Sequence, residues 1–203
     1  MDDEQNTRAA LQTVLARFLQ EASLPDSVAF NFMRWYAGVT RSLAQRAKTA
    51  ETPPLVGFSG CQGSGKSTLV AFMAEVMREV HGVSTVVLSL DDFYLTKAAR
   101  ASLAESIHPL FATRGVPGTH DLALLNETIT ALVPLPAFDK ARDDRTEMVH
   151  WRQVSAPTQL ILLEGWCIGL SPQKESELEA PVNQVEVEQD PSLIWRREAN
   201  RQV

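Results

Sequence analysis

One glycine-rich stretch, residues 60–67, constrains this chain more than any other part of its sequence. Its residues, Gly-Cys-Gln-Gly-Ser-Gly-Lys-Ser, match G-x-x-x-x-G-K-[ST], a pattern typical of loops that bind nucleotide phosphates. Glycines let the backbone approach a ligand closely, so that its N–H groups can converge on phosphate oxygens where the next helix begins. The pattern therefore predicts a strand, a phosphate loop and a helix, in that order.

The residues on either side of the pattern fit this prediction. Residues 55–58, Leu-Val-Gly-Phe, are typical of a short buried strand. After the loop, apolar residues recur at helical spacing from Leu69 to Val80, and His81-Gly82 is a plausible helix end. A chance match to the pattern would not be expected to carry both flanks.

The loop indicates ATP and Mg²⁺ as cofactors. Lys66 is expected to bring a cation to the β- and γ-phosphates, and the hydroxyl of Ser67 is expected to ligate Mg²⁺. The predicted nucleotide-binding residues are Gly60, Cys61, Gln62, Gly63, Ser64, Gly65, Lys66, Ser67 and Thr68.

Composition excludes several other classes of protein. A net charge of −6 makes a broad nucleic-acid-binding surface improbable, and no apolar run approaches the ~18 residues of a membrane span. The acidic start of the chain has no apolar segment of the kind found in signal peptides. Cys61 and Cys167 are far apart in sequence, which favours a reduced, cytoplasmic protein over a disulfide or metal framework. The expected partner is a small molecule, and the sequence does not indicate an oligomeric state.

Two further predicted strands end on carboxylates. Residues 85–90 lead into Asp91 and Asp92, and residues 159–164 end on Glu164. In open α/β sheets, ligands bind beyond the carboxyl ends of the strands. Asp91 is therefore predicted to accept the proton of an acceptor hydroxyl, and Glu164 to hold Mg²⁺ through water. The alternative for the aspartate pair is helix capping or turn formation.

Two polar stretches, 107–121 and 138–145, supply candidates for gripping a small polar acceptor. Arginine pairs bidentately with a carboxylate, so a hydroxyl-rich or carboxylate-bearing molecule would suit them. Asp121 could instead cap the following helix, and the charged run 138–145 could be solvated surface. The candidate acceptor residues are Asp92, Tyr94, Arg114, His120, Asp121, Lys140, Arg142 and Arg145.

Five segments together resemble a known family. They are residues 57–68, 90–96, 114–121, 138–145 and 163–169, and they resemble D-glycerate 3-kinase and its bacterial relatives, within the uridine kinase, phosphoribulokinase and pantothenate kinase group. The resemblance implies an α/β P-loop fold, a three-layer sandwich around a parallel sheet. It also implies ATP-dependent phosphorylation of D-glycerate to 3-phosphoglycerate, with Asp91 as the base and Glu164 near the metal.

The end of the sequence departs from that family, whose members continue with further strands and helices. We expect a helical extension at 1–50, packed on a kinase core at 51–203 that is incomplete at its C-terminus. With no later strand, the phosphate-loop strand should lie at a sheet edge, and the 203-residue protein should be marginally stable and weakly active. Two alternatives stay open: a uridine- or pantothenate-type kinase, and a truncated, non-catalytic nucleotide-binding fragment.

Overall fold

The structure, a computed structural model, describes residues 2–131, 134–154 and 157–203. The chain divides into two compact units. The first comprises Met1–Leu88 and Ser155–Glu164, and the second comprises Ser89–Val154 and Gly165–Val203. The predicted domain boundary at residue 50 stays a prediction. Within the described residues, none of the helices has the length and apolarity that crossing a bilayer requires.

Helices make up most of the regular structure. A π-helical turn lies at Phe32–Tyr36, between two α-helices. Short 3₁₀ turns lie at Leu90–Phe93, Pro109–Ala112, Met148–His150 and Glu175–Glu177. The α-helices are α1 (Asp2–Glu21), α2 (Ser27–Asn31), α3 (Ala37–Thr49), α4 (Lys66–Glu79), α5 (Lys97–Ser106), α6 (Leu122–Ala131), α7 (Gln184–Gln189) and α8 (Ile194–Arg201).

Three strands form a parallel sheet. They are β1 (Leu55–Ser59), β2 (Thr85–Ser89) and β5 (Leu160–Gly165), in the order β1-β5-β2. The last strand in the sequence is thus the central one, and all six of its residues are buried. A separate antiparallel pair joins β3 (Phe138–Asp139) to β4 (Asp144–Arg145). The predicted α/β fold with a parallel sheet is confirmed.

The core of the first unit joins the N-terminal helices to the helix that follows the phosphate loop. An apolar stripe on α1, which includes Leu11, Leu15 and Phe18, is buried. Phe18 packs against Phe72 of α4 with ring centroids 5.4 Å apart. Phe72 also stacks on Phe32 at 4.4 Å. Leu160 and Leu162 of β5 complete the same cluster. Burial of these large side chains is the main stabilising term in this unit.

The edge position predicted for β1 is confirmed within the described residues, where β5 is its single strand neighbour. The prediction that this strand is buried was wrong, since Leu55 is 48% exposed and alternate residues of β1 face solvent. Edge strands have one side without strand partners, which leaves part of their surface open. Residues 184–189, for which the sequence shows only weak apolar character, form helix α7 instead of a strand.

Candidate functional site

The phosphate loop has the backbone geometry that its glycines predicted. Gly63 and Gly65 adopt φ of +74° and +82°, conformations that side chains with a Cβ rarely reach. The amide of Ser64 donates to the carbonyl of Cys61 at 3.2 Å, which closes the turn, and α4 begins at Lys66. Residues 61–65 are exposed. The loop therefore presents open backbone at the N-terminus of a 14-residue helix.

Three side chains of the first unit meet beside this loop. The hydroxyl of Ser67 donates to Oε1 of Glu164 at 3.0 Å, and Nζ of Lys66 lies 3.7 Å from Oε2 of the same carboxylate. Glu164 is only 6% exposed, so a buried strand delivers it to this position. The sequence prediction that Glu164 and Ser67 lie together is consistent with this geometry.

The Ser67–Glu164 pair fits a magnesium ion. A hydroxyl and a carboxylate are hard oxygen donors, and Mg²⁺ is usually held in phosphate-transfer sites by one or two protein oxygens, waters and the substrate phosphates. No cluster of three or more His, Cys, Asp or Glu residues suited to a metal occurs within the described part of the chain. A metal held by this pair alone would therefore need phosphate oxygens or water as its remaining ligands.

In the second unit, Asp91 lies in the 3₁₀ turn that follows β2. Its Oδ2 accepts from Nζ of Lys140 at 2.6 Å, and it also accepts from the hydroxyl of Tyr94. Burial and the neighbouring Asp91 carboxylate raise the pKa of Tyr94, so its hydroxyl remains a donor. Lys140 is largely exposed, so one side of the Asp91 carboxylate is covered only by a flexible side chain.

His120 lies against Tyr94 in the same cluster. The two rings stack with centroids 4.4 Å apart, and the backbones of residues 94 and 120 pair antiparallel. The side chain is buried, and within the described residues its Nε2 has no hydrogen-bond partner. Burial lowers the pKa of His120 to about 4, although the Asp91 charge acts in the opposite direction. A neutral imidazole with an unpaired buried nitrogen is well suited to meet a polar ligand.

Arg114 is held in place by two linked ion pairs, Arg100–Asp143 and Asp143–Arg114, which we call the relay. Arg100 is fully buried, and it donates to the carbonyls of Leu95, Ala112 and Asp143 at 3.3, 3.0 and 2.7 Å. Its guanidinium also lies 3.0 Å from the Asp143 carboxylate, which in turn pairs with Arg114. Burial works against the charged form of Asp143, but hydrogen bonds from the two arginines leave its pKa below the usual value. The carboxylate is thus kept charged between two cations.

Arg145 and Asp121 form a second pair. Nη2 of Arg145 lies 3.0 Å from Oδ2 of Asp121, and it donates to the carbonyl of Tyr94 at 2.9 Å. Asp121 also accepts from the amide of Leu124, which caps α6 as the sequence alternative proposed. Both residues therefore have structural tasks within the cluster, whatever else they bind.

The remaining candidates are less closely held. Asp92 accepts from the amide of Phe138 at 3.2 Å, which fixes β3 beside the 3₁₀ turn. Arg142 is exposed at the turn of the β3–β4 hairpin, where its amide donates to Asp139. The charged run 138–145 is thus an ordered hairpin whose members contact Asp91, Asp92 and Arg114, and the solvated-surface alternative does not describe it.

Sequence reasoning missed Arg100 and Asp143. Arg100 sits on α5, a helix whose sequence, Lys-Ala-Ala-Arg-Ala-Ser-Leu-Ala-Glu-Ser, has no motif. An arginine in such a segment is normally exposed, and nothing local indicates burial. Asp143 adopts φ of +55°, a left-handed conformation that aspartate reaches more readily than most residues. The one sequence signal for this residue was its position as an aspartate in a turn-like segment.

Comparison with known proteins finds kinases that are similar to the chain. No family model matches the chain. Over 153 residues it is 37% identical to the chloroplastic D-glycerate 3-kinase of Arabidopsis thaliana, covering 68% of this chain and 33% of that protein. Over about two thirds of its length, the chain is thus similar to a D-glycerate 3-kinase.

A second curated relative and a solved structure are also similar to the chain. Over 149 residues the chain is 36% identical to an uncharacterised kinase of Schizosaccharomyces pombe, covering 66% of this chain and 53% of that protein. The solved structure of D-glycerate 3-kinase from Cryptococcus neoformans superposes with a TM-score of 0.67 and 28% identity, over 81% of this chain and 64% of that one. The chain spans between a third and about half of the length of these two curated relatives.

Proposed function

We propose that this chain is an ATP-dependent kinase that phosphorylates a hydroxyl of a small polar acid, namely D-glycerate, to give 3-phosphoglycerate. The contact between Ser67 and Glu164 beside an open phosphate loop carries the nucleotide half of the proposal. Similarity to two proteins named D-glycerate 3-kinase supports the choice of acceptor.

The first unit is assigned to ATP. Backbone amides of residues 60–65 would bind the β- and γ-phosphate oxygens, with the dipole of α4 behind them. Lys66 would add a positive charge that moves with the phosphates. Ser67 and Glu164 would hold Mg²⁺, which, when bound, neutralises phosphate charge. The exposed residues Cys61 and Gln62 would shape the loop mainly through their backbone.

The second unit is assigned to the acceptor, with Asp91 as the base. The acceptor oxygen forms a bond to the γ-phosphorus, the bond from that phosphorus to the bridging oxygen of ADP breaks, and the hydroxyl proton passes to Asp91. Tyr94 already donates a hydrogen bond to this carboxylate and so orients it. Lys140 would leave Asp91 to contact the incoming acceptor, which its exposed position allows.

The carboxylate of D-glycerate is assigned to the arginines. Arg114 presents a guanidinium whose orientation is fixed by Asp143, and a planar guanidinium matches a carboxylate bidentately. His120 Nε2 would meet an acceptor hydroxyl, since it is buried and unpaired within the described residues. Asp92, Asp121, Arg142 and Arg145 would support or extend this grip.

A reducing, cytoplasmic location and a small-molecule partner complete the proposal. Both cysteines, Cys61 and Cys167, are free thiols. That state is maintained in a reducing compartment, where structural disulfides are rare.

A coupled assay for ADP release tests the proposed function. The purified chain is given ATP, Mg²⁺ and one acceptor at a time: D-glycerate, uridine or pantothenate. We expect release that depends on D-glycerate and disappears in Lys66→Ala. Release with uridine or pantothenate alone would replace the acceptor. ATP binding without any acceptor-dependent release would favour a non-catalytic nucleotide-binding role.

A further inference from the structure

The N-terminal helices of the first unit and the end of α4 line a cavity of about 730 Å³, open to solvent on one side, that the proposed reaction does not use. Three arginines line it: Arg8 from α1, Arg34 from the π-helical turn and Arg41 from α3. The rest of its polar lining is Gln5, Thr7, Thr40 and His81. We call it the arginine cavity. No Asp or Glu is among the described residues that line it. Its apolar lining includes Leu11 and Met33.

The electrostatic character of the arginine cavity is supported by its own histidine. Burial lowers the pKa of His81, and the nearby charges of Lys48 and Arg41 lower it further. The guanidinium carbon of Arg34 lies 5.8 and 5.1 Å from the ring centroids of Phe30 and Trp35, within the range of cation–π contacts. A ligand that enters this cavity meets several cations, so an anionic group is favoured.

A second cavity of about 770 Å³ adjoins the first. It lies between α1 and α2, and most of its lining is apolar, with Leu15, Leu19 and Leu24 among the residues. Gln12, Gln20 and Asp26 supply its polar lining. We call it the leucine cavity. Phe30 and Met33 line both cavities, so the cationic and apolar spaces share a wall. Each volume lies within the range typical of small-molecule sites.

We propose that the two cavities together bind one single-chain organic amphiphile, with a carboxylate head on the arginines and an apolar tail against the leucines. Arginine matches a carboxylate with two parallel hydrogen bonds, which fixes the head. The tail gains by leaving water for an apolar lining, roughly fourfold in affinity for each buried methylene. This site is independent of the phosphate loop and of the acceptor residues.

A free amphiphile suits these cavities better than a membrane surface. Leu15 and Leu19 are only 4% and 6% exposed, so they line the space from within and cannot insert into a bilayer. Membrane-binding helices instead present their apolar face outward, over a broad surface. A concave apolar space beside a concave cationic one selects a ligand that carries both features in a single molecule.

Dodecanoate, used below its critical micelle concentration, is the probe. Isothermal titration with the full chain should show one saturable site, and decanoate should bind roughly 15-fold more weakly because two methylenes are lost. Dodecanol and dodecyltrimethylammonium should bind at least tenfold more weakly than dodecanoate, since they lack the anionic head. Equal binding of dodecanoate, dodecanol and dodecyltrimethylammonium would overturn the proposal.

Two pairs of variants separate the head from the tail. Arg8→Gln with Arg34→Gln should weaken dodecanoate at least tenfold, whereas Arg46→Gln, an exposed arginine of α3 outside the cavity, should not. Ala16→Phe should fill the leucine cavity and block dodecanoate, whereas Ala10→Phe, elsewhere on α1, should not. All five substituted positions are exposed, so thermal unfolding should confirm an intact fold in each variant.

Unchanged affinity in both test variants would refute the site. A third arm uses vesicles of phosphatidylserine in a flotation assay. Vesicle binding that is lost in the arginine variant, with no binding of monomeric dodecanoate, would show a membrane-binding face in place of an amphiphile cavity and would likewise refute the proposal.

Discussion

The phosphate loop and the Asp91 cluster hold their candidate residues in opposite ways. The loop is one continuous segment whose proposed work is done by backbone amides, and its residues 61–65 are exposed. The Asp91 cluster draws side chains from three segments, 91–94, 114–121 and 138–145, and nearly every one already contacts another. A site built from backbone amides can therefore be recognised from a short sequence motif. A site built from side chains depends on contacts between segments that are distant in sequence.

The comparison also shows where substitution should be tolerated. In the loop, a single side chain, Lys66, carries much of the charge, and its removal should leave the fold intact. In the cluster, Arg114 and Arg145 stabilise loops as well as offering cations, so their loss should affect stability and ligand binding together. Measurements that separate these two effects would sharpen the contrast or remove it.

The largest effect is expected for Lys66→Ala. Loss of the phosphate cation should lower kcat by about 10³-fold or more, since such electrostatic contacts stabilise the transition state in a water-poor site. The free energy of unfolding should change little, because its 3.7 Å contact to Glu164 is long. Lys48→Ala, an exposed lysine of α3, is the control. Near-normal turnover in Lys66→Ala would remove the loop from the mechanism.

Asp91→Asn should reduce kcat by ~10²–10⁴-fold, the usual range for a general base, with ATP affinity nearly unchanged. Steady-state kinetics and equilibrium ATP titration would give the two numbers. If ATP affinity and turnover fell equally, Asp91 would be a metal ligand or a structural residue.

Arg100→Met tests the relay behind Arg114. Removing a fully buried cation leaves three carbonyls and the Asp143 carboxylate without their donor, so the free energy of unfolding should fall by about 3–5 kcal/mol. Urea unfolding followed by tryptophan fluorescence measures this. Arg100→Lys should recover only part of the loss, because an ammonium cannot reproduce the planar fork. A fall below 1 kcal/mol would contradict the relay.

Arg114→Ala should raise the KM for D-glycerate roughly 10–100-fold, as expected for the loss of a charge-assisted hydrogen bond. The KM for ATP should stay within about twofold, by the assignment of Arg114 to the acceptor. Arg145→Ala should follow the same pattern with an added loss of stability, since it also holds Asp121 and Tyr94. An effect confined to ATP would place these arginines with the nucleotide.

The smallest effect concerns pH. The folded pKa of His120 is about 4, below its ordinary value of 6.5, so the unfolded chain binds more protons between these values. The stability contributed by neutral His120 is complete above about pH 6.5 and declines as pH falls toward 4. His120→Phe, which keeps the stacking on Tyr94, should therefore flatten the stability curve between about pH 6.5 and pH 4. If the pH dependence of the free energy of unfolding were the same in His120→Phe, groups other than His120 would cause it.

How much of this could be predicted from the sequence depends on the range of the interactions. Lys66, Ser67 and Glu164 were predicted because a motif and a strand end each define a position locally. Asp91 was likewise placed by the end of a strand. Arg100 and Asp143 could not be predicted, because their partners lie 43 residues apart in sequence and depend on tertiary folding. The exposure of Leu55 was missed because an apolar strand looks the same at an edge as in the centre.

The sheet order has a consequence for synthesis on the ribosome. The outer strands β1 and β2 emerge first, and the central strand β5 follows about 70 residues after β2, a delay of roughly 4–14 s at ordinary translation speeds. During that interval Val70, Met73 and Met77 of α4 lack Leu160 and Leu162, the partners that later complete their cluster. The nascent chain thus displays a methionine-rich apolar face for seconds, which is long enough for a chaperone to bind it.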